Sequence, residues 1–378
     1  MIYLDNASTT QVCPEVMEAM IHYFSGTYGN PESIHSMGRE AKKAIETARE
    51  QVAAPIKADP NNIIFTSGGS EANTLAIIGI ADYLKSIGKN HIITTKVEHH
   101  SVLECMKYLF YHGFYITYLP TDRLGEINYE LLEASICDHT GLISVMTVNN
   151  ETGNRYDIYR IGQICRKHSV LFHTDCVQAY CGITIDVNDS SIDFLSASGH
   201  KIHAPKGVGF LYARHKELLR PVIFGGSQEN GLRGGTHNTP YIVGMGRAAE
   251  VANEKYIRNI YSFGEKIGAL KQRILSRVSG VHVNGMPHGN SKTINLRFDG
   301  IDGETLLLLL DSHGIEVSAG SACSAHYAEP SHVLSAIGLT DDEARSSIRI
   351  SISEYTTYEE IDDAAQVITS SVKQLRGG

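Results

Sequence analysis

Short apolar segments alternate with amphipathic helical segments along residues 62–220, and this alternation restricts the possible folds more than any other feature. The predicted strands are 63–66, 91–95, 115–119, 142–148, 170–174, 194–197 and 208–212. Strands separated by helices form a mainly parallel sheet with helices on both faces. Ligands of such sheets bind beyond the carboxyl ends of the strands. This rule brings together Ser67, Asn150, Asp175 and Lys201.

The pattern changes after a long helical stretch at about 240–278. Further strands are predicted at 281–284, 293–297 and 348–353. A capping-box pattern at Thr357 indicates the start of a final helix. A chain of 378 residues with 42% hydrophobic content can bury enough surface for two domains. We expect a large α/β domain at 15–255 and a smaller α+β domain made of 1–14 and 256–378.

Charge and hydropathy argue against two classes of protein. The chain has 33 Lys and Arg against 42 Asp and Glu, a formal net charge of −9, which disfavours nonspecific nucleic-acid binding. Its first residues lack the basic and apolar regions of a signal peptide, and no apolar run approaches the roughly 18 residues that span a bilayer. We therefore expect a cytoplasmic enzyme without a membrane or nucleic-acid partner.

The seven cysteines are scattered, without the Cys-x-x-Cys spacing of a zinc site. This distribution predicts neither a disulfide framework nor a bound metal. Most of these thiols are expected to be small core residues. Cys323 differs, because residues 318–329 are rich in small side chains and have neither helical nor strand periodicity. That segment is predicted to be a mobile loop with an accessible thiol.

Lys201 ends an apolar strand, and Asp175 ends the strand before it, 26 residues earlier. A lysine at a strand end is easily desolvated, which lowers the pKa of its amine and makes it a Schiff-base nucleophile. A carboxylate at the neighbouring strand end can keep a pyridine nitrogen protonated, as pyridoxal phosphate (PLP) requires. Taken singly, Lys201 is also compatible with an ordinary surface lysine, and Asp175 with an ordinary strand-end aspartate.

The turn Ser67-Gly-Gly-Ser-Glu71 joins a predicted strand to an apolar helix at 72–84. Glycines let backbone N–H groups approach a phosphate, Ser70 adds a hydroxyl, and the helix dipole favours negative charge. The turn therefore predicts an anion cradle. By itself, without Asp175 and Lys201, the turn is better explained as an N-cap in which Ser70 satisfies helix donors.

Eight motifs together resemble the group I cysteine desulfurases of the NifS/IscS type. They are Tyr3-Leu-Asp-Asn-Ala-Ser-Thr-Thr10, Gly29-Asn-Pro-Glu-Ser-Ile-His35, Val97-Glu-His99, Val148-Asn-Asn-Glu-Thr-Gly153, Ser198-Gly-His-Lys-Ile-His-Ala-Pro-Lys-Gly207, Arg233-Gly-Gly-Thr236, Gly320-Ser-Ala-Cys-Ser324 and Ser346-Ser-Ile-Arg349. The resemblance extends from end to end. It implies fold type I of the PLP enzymes within the class V aminotransferases, with a mainly parallel seven-stranded sheet and a smaller α+β domain.

The resemblance also implies a role for each matching residue. The catalytic residues would be Lys201, Cys323 and His99. The cofactor would be held by Gly69, Ser70, His99, Asn150, Asp175, Gln178, Ser198, His200 and Lys201, and by Thr236 of a second subunit. The substrate would be bound by Asn150 and Arg349, since a planar guanidinium suits a carboxylate.

The implied reaction converts L-cysteine to L-alanine and leaves the sulfur on Cys323 as a persulfide. The implied partners are a second copy of the chain and a sulfur acceptor, such as an iron–sulfur scaffold or a thiolation carrier. Three residues depart from the family pattern: Cys176, Ala204 and Ser70. A PLP-dependent aminotransferase or beta-lyase and a noncatalytic sulfur-assembly scaffold are the alternatives. Neither would need both Lys201 and Cys323.

Overall fold

The computed structural model describes residues 1–287, 289, 291–319 and 330–377. Its strands are β1 (Ile2–Tyr3), β2 (Ile63–Thr66), β3 (His91–Thr95), β4 (Tyr115–Leu119), β5 (Thr140–Ser144), β6 (Leu171–Asp175), β7 (Phe194–Ser198), β8 (Gly209–Ala213), β9 (Val281–Asn284), β10 (Thr293–Phe298), β11 (Ile315–Glu316) and β12 (Ser347–Ser351). Its helices are α1 (Pro14–Ser25), α2 (Ser36–Ala53), α3 (Gly69–Gly79), α4 (Ala81–Ser86), α5 (His100–Tyr111), α6 (Tyr129–Ala134), α7 (Ile158–Lys167), α8 (Thr239–Arg277), α9 (Gly303–Ser312), α10 (His332–Ala336), α11 (Asp341–Arg345) and α12 (Tyr358–Leu375). No helix among these residues combines the length and the apolar character needed to cross a bilayer.

Seven strands of the described chain form the central sheet, in the order β2-β8-β7-β6-β5-β3-β4. Strand β8 runs antiparallel to both of its neighbours, and the other neighbouring strands pair in parallel. Successive strand residues face opposite sides of a sheet. Ile63 and Phe65 accordingly belong to an apolar cluster that also contains residues of α2 and α7, whereas Ile64 belongs to a cluster with residues of α3, α4 and α5. The predicted fold class, a mainly parallel seven-stranded sheet with helices on both faces, is confirmed.

Three predicted strands in this region differ from the structure by one residue, since β6, β7 and β8 end one residue later than predicted, and two predicted elements differ by more. The strand expected at 142–148 is β5, which starts two residues earlier and ends at Ser144. Beyond that point Val145 and Thr147 still donate backbone hydrogen bonds to β6, and Val148 makes an isolated bridge with Arg155. The helix expected at 72–84 is two helices, α3 and α4, which meet at Ile80. Hydrophobicity continues through that junction, so it gives no sign of the break.

A second sheet, in the order β12-β10-β9, is antiparallel. Its apolar cluster includes Leu270 and Ile274 of α8, Leu306 of α9, and Ile361 and Ile368 of α12. The capping box predicted at Thr357 is present. The strand expected at 348–353 is shifted to Ser347–Ser351. The division of the chain near residue 255 stays a prediction, because α8 continues without a break across that position.

The N-terminal segment connects the two sheets, and the sequence did not predict this. Strand β1 pairs in parallel with β11, and Asp5 then forms a bridge with Ser351. A strand of two residues is too short to show periodicity. The consequence is that Asp5, Ala7 and Ser8 lie beside the ends of the central strands.

Candidate active site

A cavity of about 280 Å³ lies at the carboxyl end of the parallel strands. The predicted site residues that line it are Gly69, Ser70, His99, Asn150, Asp175, Gln178, Ser198, His200, Lys201 and Arg349. The strand-end rule grouped Asn150, Asp175 and Lys201, which line this cavity, with Ser67, which does not. Two predicted residues are not in this group. Thr236 does not line the cavity, and Cys323 lies outside the described residues.

Lys201 is the last residue of a single 3₁₀ turn that follows β7. Its Nζ donates hydrogen bonds to the carbonyl oxygens of Ala7 and Ser8, at 2.7 and 2.6 Å. The Gln178 side chain donates to the same Ala7 carbonyl at 2.9 Å. The N-terminal segment thus sets the position of the amine that resemblance assigns to cofactor attachment.

Asp175 is the last residue of β6 and is 5% exposed. Its Oδ1 accepts a hydrogen bond from the backbone N–H of Val177 at 2.9 Å, and its Oδ2 accepts one from Asn73 Nδ2 at 2.7 Å. Both carboxylate oxygens are therefore oriented by the protein. Asn73, 1% exposed on α3, was missed by sequence reasoning, although a polar residue within the apolar run 72–84 was an available signal.

His99 is the N-cap of α5, and its Nδ1 accepts the backbone N–H of Ser101 at 3.1 Å. Ser101 Oγ also lies 2.8 Å from Nδ1. Burial lowers the pKa of His99. Asp175 opposes this shift, and Lys201 adds to it. Ser101 was not predicted as a site residue, because the sequence does not reveal which side chains contact an N-cap histidine.

The predicted anion cradle lies where α3 begins at Gly69. A Cβ atom at Gly69 would lie 2.5 Å from Val177 Cγ2, so the close approach of α3 to the chain after β6 requires glycine there. His200 Nδ1 lies 3.2 Å from the Thr9 hydroxyl. Burial first, then the charges of Lys201 and Lys206, lower the pKa of His200 to about 4. This imidazole is therefore a neutral hydrogen-bonding group near neutral pH.

Arg349 lies on β12 and is 2% exposed. Its guanidinium donates to the Asn150 carbonyl at 2.9 Å, to Asp5 Oδ1 at 2.8 Å and to the Ser8 hydroxyl at 2.6 Å. Its Nε is buried without a protein partner. The predicted substrate-carboxylate ligand is thus in the cavity and already paired with Asp5, a pairing that sequence reasoning missed.

Glu151 and His332 also line the cavity without having been predicted. The Ser331 hydroxyl donates to Glu151 Oε2, whereas Oε1 is buried without a protein partner. Burial raises the pKa of Glu151, and the bond from Ser331 counteracts part of that shift. His332 Nε2 hydrogen-bonds the Glu98 carbonyl, and its ring packs against that of His100.

Thr236 follows a segment fixed to the body of the same chain. Glu229 in that segment binds Arg49 and His237. Arg233 Nε donates to Glu71 at 3.0 Å, next to the anion cradle. Thr236 does not line the cavity of its own chain, and the suggestion that it completes the site of a second subunit stays a prediction.

The chemistry of these groups fits pyridoxal phosphate. Asp175 offers a carboxylate for a pyridinium nitrogen, and Lys201 offers an amine for the aldehyde. The N-terminus of α3, with Ser70, offers donors for a phosphate. In addition, Asn73 Oδ1 and Arg349 Nε are buried polar atoms of the cavity that no described protein group satisfies. Such atoms require a partner, which a bound polar molecule would supply.

Comparisons with known proteins agree with this reading. The aminotransferase class-V family matches residues 2–363. The cysteine desulfurase IscS of Clostridium botulinum (strain Hall) is 44% identical over 382 residues, covering 99% of this chain and 95% of that protein. The cysteine desulfurase IscS of Rickettsia akari is 45% identical over 379 residues, covering 99% and 92%.

Solved structures give the same result. A NifS-like protein superposes with a TM-score of 0.91 at 37% identity, over 98% of both chains. SspA in complex with cysteine superposes with a TM-score of 0.84 at 39% identity, over 94% of this chain and 100% of the other. Family, relatives and structures all point to one group of PLP-dependent enzymes. The chain therefore belongs to the class-V aminotransferase family and, within it, to the IscS/NifS-like cysteine desulfurases.

Proposed function

We propose that this protein removes sulfur from L-cysteine, releases L-alanine and passes the sulfur to an acceptor through a persulfide on Cys323. The observation that carries the proposal is the convergence of Lys201, Asp175 and His99 on the cavity that Arg349 also lines. The IscS relatives, at 44–45% identity over 99% of this chain, supply the substrate. The cysteine-bound SspA structure supports the same choice.

The cofactor would be held from several sides. Asp175 would bind the pyridine nitrogen, His99 would lie against the ring, and Gln178 and Asn150 would contact the ring hydroxyl or the substrate. The phosphate would be bound by Gly69, Ser70, Ser198 and His200, together with Thr236 of a second subunit. Bound there, PLP supplies an electron sink that makes the substrate Cα proton acidic.

Lys201 Nζ would accept the proton from the substrate Cα and later return one. Its contacts with the Ala7 and Ser8 carbonyls keep the amine near one position, which favours transfer at a single carbon. Arg349 would bind the substrate carboxylate. Because Asp5 already balances part of its charge, this arginine can be buried before the substrate arrives.

The thiolate of Cys323 would attack the sulfur of the substrate. A new S–S bond forms, the substrate Cβ–S bond breaks with its electron pair left on Cβ, and a proton added to Cβ completes alanine. The thiolate, not the thiol, is the nucleophile in such a step. The acceptor of the persulfide sulfur would be a protein such as an iron–sulfur scaffold or a thiolation carrier. The reaction would take place in the cytoplasm.

The chain would act as a homodimer, since Thr236 does not line its own cavity. A subunit that is monomeric at working concentration by light scattering, and still fully active, would contradict this part of the proposal.

The decisive assay incubates the PLP-loaded protein with L-cysteine and a reductant and measures alanine and sulfide. Equal amounts of both products are expected. Pyruvate and ammonia would instead indicate a beta-lyase, a keto acid formed only with an amino acceptor would indicate an aminotransferase, and no turnover would indicate a scaffold. The Cys323→Ser variant should bind PLP and L-cysteine but form no persulfide by mass spectrometry. An added sulfur on another cysteine, with Cys323→Ser still active, would overturn the mechanism.

A further inference from the structure

A polar bridge joins Asp175 to His99 through two side chains that the proposed mechanism does not use. Asn73 Nδ2 donates one hydrogen to Asp175 Oδ2 at 2.7 Å and the other to Ser101 Oγ at 2.9 Å. An ionised carboxylate accepts hydrogen bonds and donates none. Asn73 must therefore direct its amide nitrogen toward Asp175, and this fixes the orientation of the amide group.

The direction of the remaining bonds follows from this orientation. Ser101 Oγ accepts from Asn73, so its own proton is available for His99 Nδ1 at 2.8 Å. The backbone N–H of Ser101, which can only donate, points at the same Nδ1 from 3.1 Å. Two independent donors thus make Nδ1 an acceptor. In a neutral imidazole the proton must then be on Nε2.

The surroundings favour this neutral ring. Burial is the largest influence and lowers the pKa of His99. The charged or titratable groups nearest to it are Asp175, which favours protonation, and Lys201, His100 and His332, which disfavour it. Nδ1, the one basic nitrogen of the neutral ring, is already occupied by Ser101. A proton could be added there only by displacing these donors.

We propose that Asn73 and Ser101 are positioning residues that hold His99 as the Nε2–H tautomer, which makes His99 a hydrogen-bond donor in the cavity. This inference rests on the proposed function for the identity of the reaction. Histidine roles depend on which ring nitrogen is protonated, and the partner of the other nitrogen decides that. The bridge also connects Asp175 and His99, which the proposed function assigns to the cofactor ring, through a continuous set of hydrogen bonds.

The direct test is ¹⁵N NMR of the histidine-labelled, PLP-loaded enzyme near neutral pH, with the His99 signals assigned by their loss in His99→Gln. A pyridine-like Nδ1 and a pyrrole-like Nε2 are expected for His99. In Ser101→Ala one donor to Nδ1 is lost, so the Nδ1 resonance should shift and protonation of His99 should begin at higher pH. An imidazolium or an Nδ1–H tautomer in the wild type would overturn the proposal.

Kinetics give the second readout. Ser101→Ala should lower kcat/KM about five- to tenfold, mainly through kcat, which corresponds to the loss of one hydrogen bond. Ser101→Thr keeps the hydroxyl and should restore the rate to within about twofold of wild type. Asn73→Ala should raise the dissociation constant of PLP about tenfold, because Asp175 loses a donor.

Ser135→Ala is the matched control, since it removes an exposed hydroxyl that bonds the Leu131 carbonyl on α6. It should change neither readout. Unchanged His99 resonances in Ser101→Ala would also overturn the bridge. The two proposals can fail independently. Wild-type enzyme that makes no alanine from L-cysteine would refute the proposed function, while the NMR result would still decide the tautomer of His99.

Discussion

The Glu229 cluster, formed by Arg49, Glu229 and His237, and the cavity around Asp175 both bury charged side chains, but they differ in how those side chains are paired. Glu229 accepts two hydrogen bonds from Arg49, one from His237 at 2.8 Å and one from the Phe65 backbone at 3.1 Å. These bonds hold Glu229 at φ 47°, a left-handed conformation that costs roughly 1–2 kcal/mol outside glycine.

The cavity has more unpaired atoms than the Glu229 cluster, in which His237 Nδ1 is the one buried side-chain atom without a partner among the described residues. Asn73 Oδ1, Glu151 Oε1 and Arg349 Nε are buried there without a protein partner among the described residues. Buried polar atoms of this kind destabilise a fold unless something binds them. The difference indicates that the Glu229 cluster contributes to folding, whereas the cavity is organised for a ligand. Substitutions in the two regions should therefore affect different measurements.

Lys201→Ala should have the largest effect on catalysis. We expect alanine formation from L-cysteine to fall more than about 10³-fold, because the amine that attaches the cofactor and moves the Cα proton is lost. The fold should survive, because the Ala7 and Ser8 carbonyls, which lose their bonds to Lys201 in this variant, belong to residues that line the cavity. Product analysis and circular dichroism are the measurements. Undiminished turnover would refute the role of Lys201.

Glu229→Gln should have the largest effect on stability. Arg49 would be left buried with its main partner uncharged, and the free energy of unfolding should fall by about 3–5 kcal/mol. Glu46→Gln is the matched control, because Glu46 binds the same Arg49 from an exposed position and should cost less than about 0.5 kcal/mol. Denaturant unfolding measures both. Equal effects would mean that burial does not distinguish the two pairs.

The Glu229 cluster should also be visible in the pH dependence of stability. Burial alone would raise the pKa of Glu229, but the bonds from His237 and Arg49 outweigh it and lower this pKa to about 2. A carboxyl with a depressed pKa stabilises the fold above its unfolded value of 4.5, and that contribution is lost as the pH falls toward 2.

The expected loss between about pH 5 and pH 2 is ~3 kcal/mol. The measurement is the difference between wild type and Glu229→Gln in unfolding free energy across this range. Subtraction removes the contribution of histidines such as His200, whose lowered pKa also favours the fold at higher pH. A difference that does not change with pH would contradict the assignment.

Cys176→Ala should have the smallest effect, although Cys176 is next to Asp175. Burial, followed by the charge of Asp175, raises the pKa of Cys176, and bonds with Thr147 and Thr174 lower it in part, so that it lies at about 12. The protonated thiol cannot serve as a nucleophile. Desulfurase activity within about threefold of wild type and a stability loss of roughly 1 kcal/mol are expected. Mass spectrometry that finds added sulfur on Cys176 after an L-cysteine pulse would reverse this conclusion.

The sequence predicted the elements whose pattern is local. Strands β2, β3 and β4 were predicted at both ends, because each is a short apolar run bounded by polar residues or turns. Lys201 and Asp175 could be placed together because parallel strands end at one edge of a sheet. These inferences need only the period of a segment and the direction of a strand.

The missed features depend on contacts between distant segments. Asn73 meets Ser101 only when α3 packs beside α5, and Asp5 meets Arg349 across 344 positions of sequence. The local sequence around each of these residues does not indicate which distant residue it will contact. The end of β5 was misplaced because residues 145–148 stay buried and mostly apolar beyond Ser144, so hydrophobicity does not mark the boundary.

The position of residues 5–8 has a consequence for biosynthesis. Ala7 and Ser8 are synthesised before Lys201, whose amine their carbonyls bind, and Asp5 is synthesised before its partner Arg349. At about 5–20 residues per second, the interval between Asp5 and Arg349 is roughly 20–70 s. A nascent chain can therefore assemble the central sheet well before it acquires a complete catalytic centre, and Asp5 lacks its Arg349 partner until then.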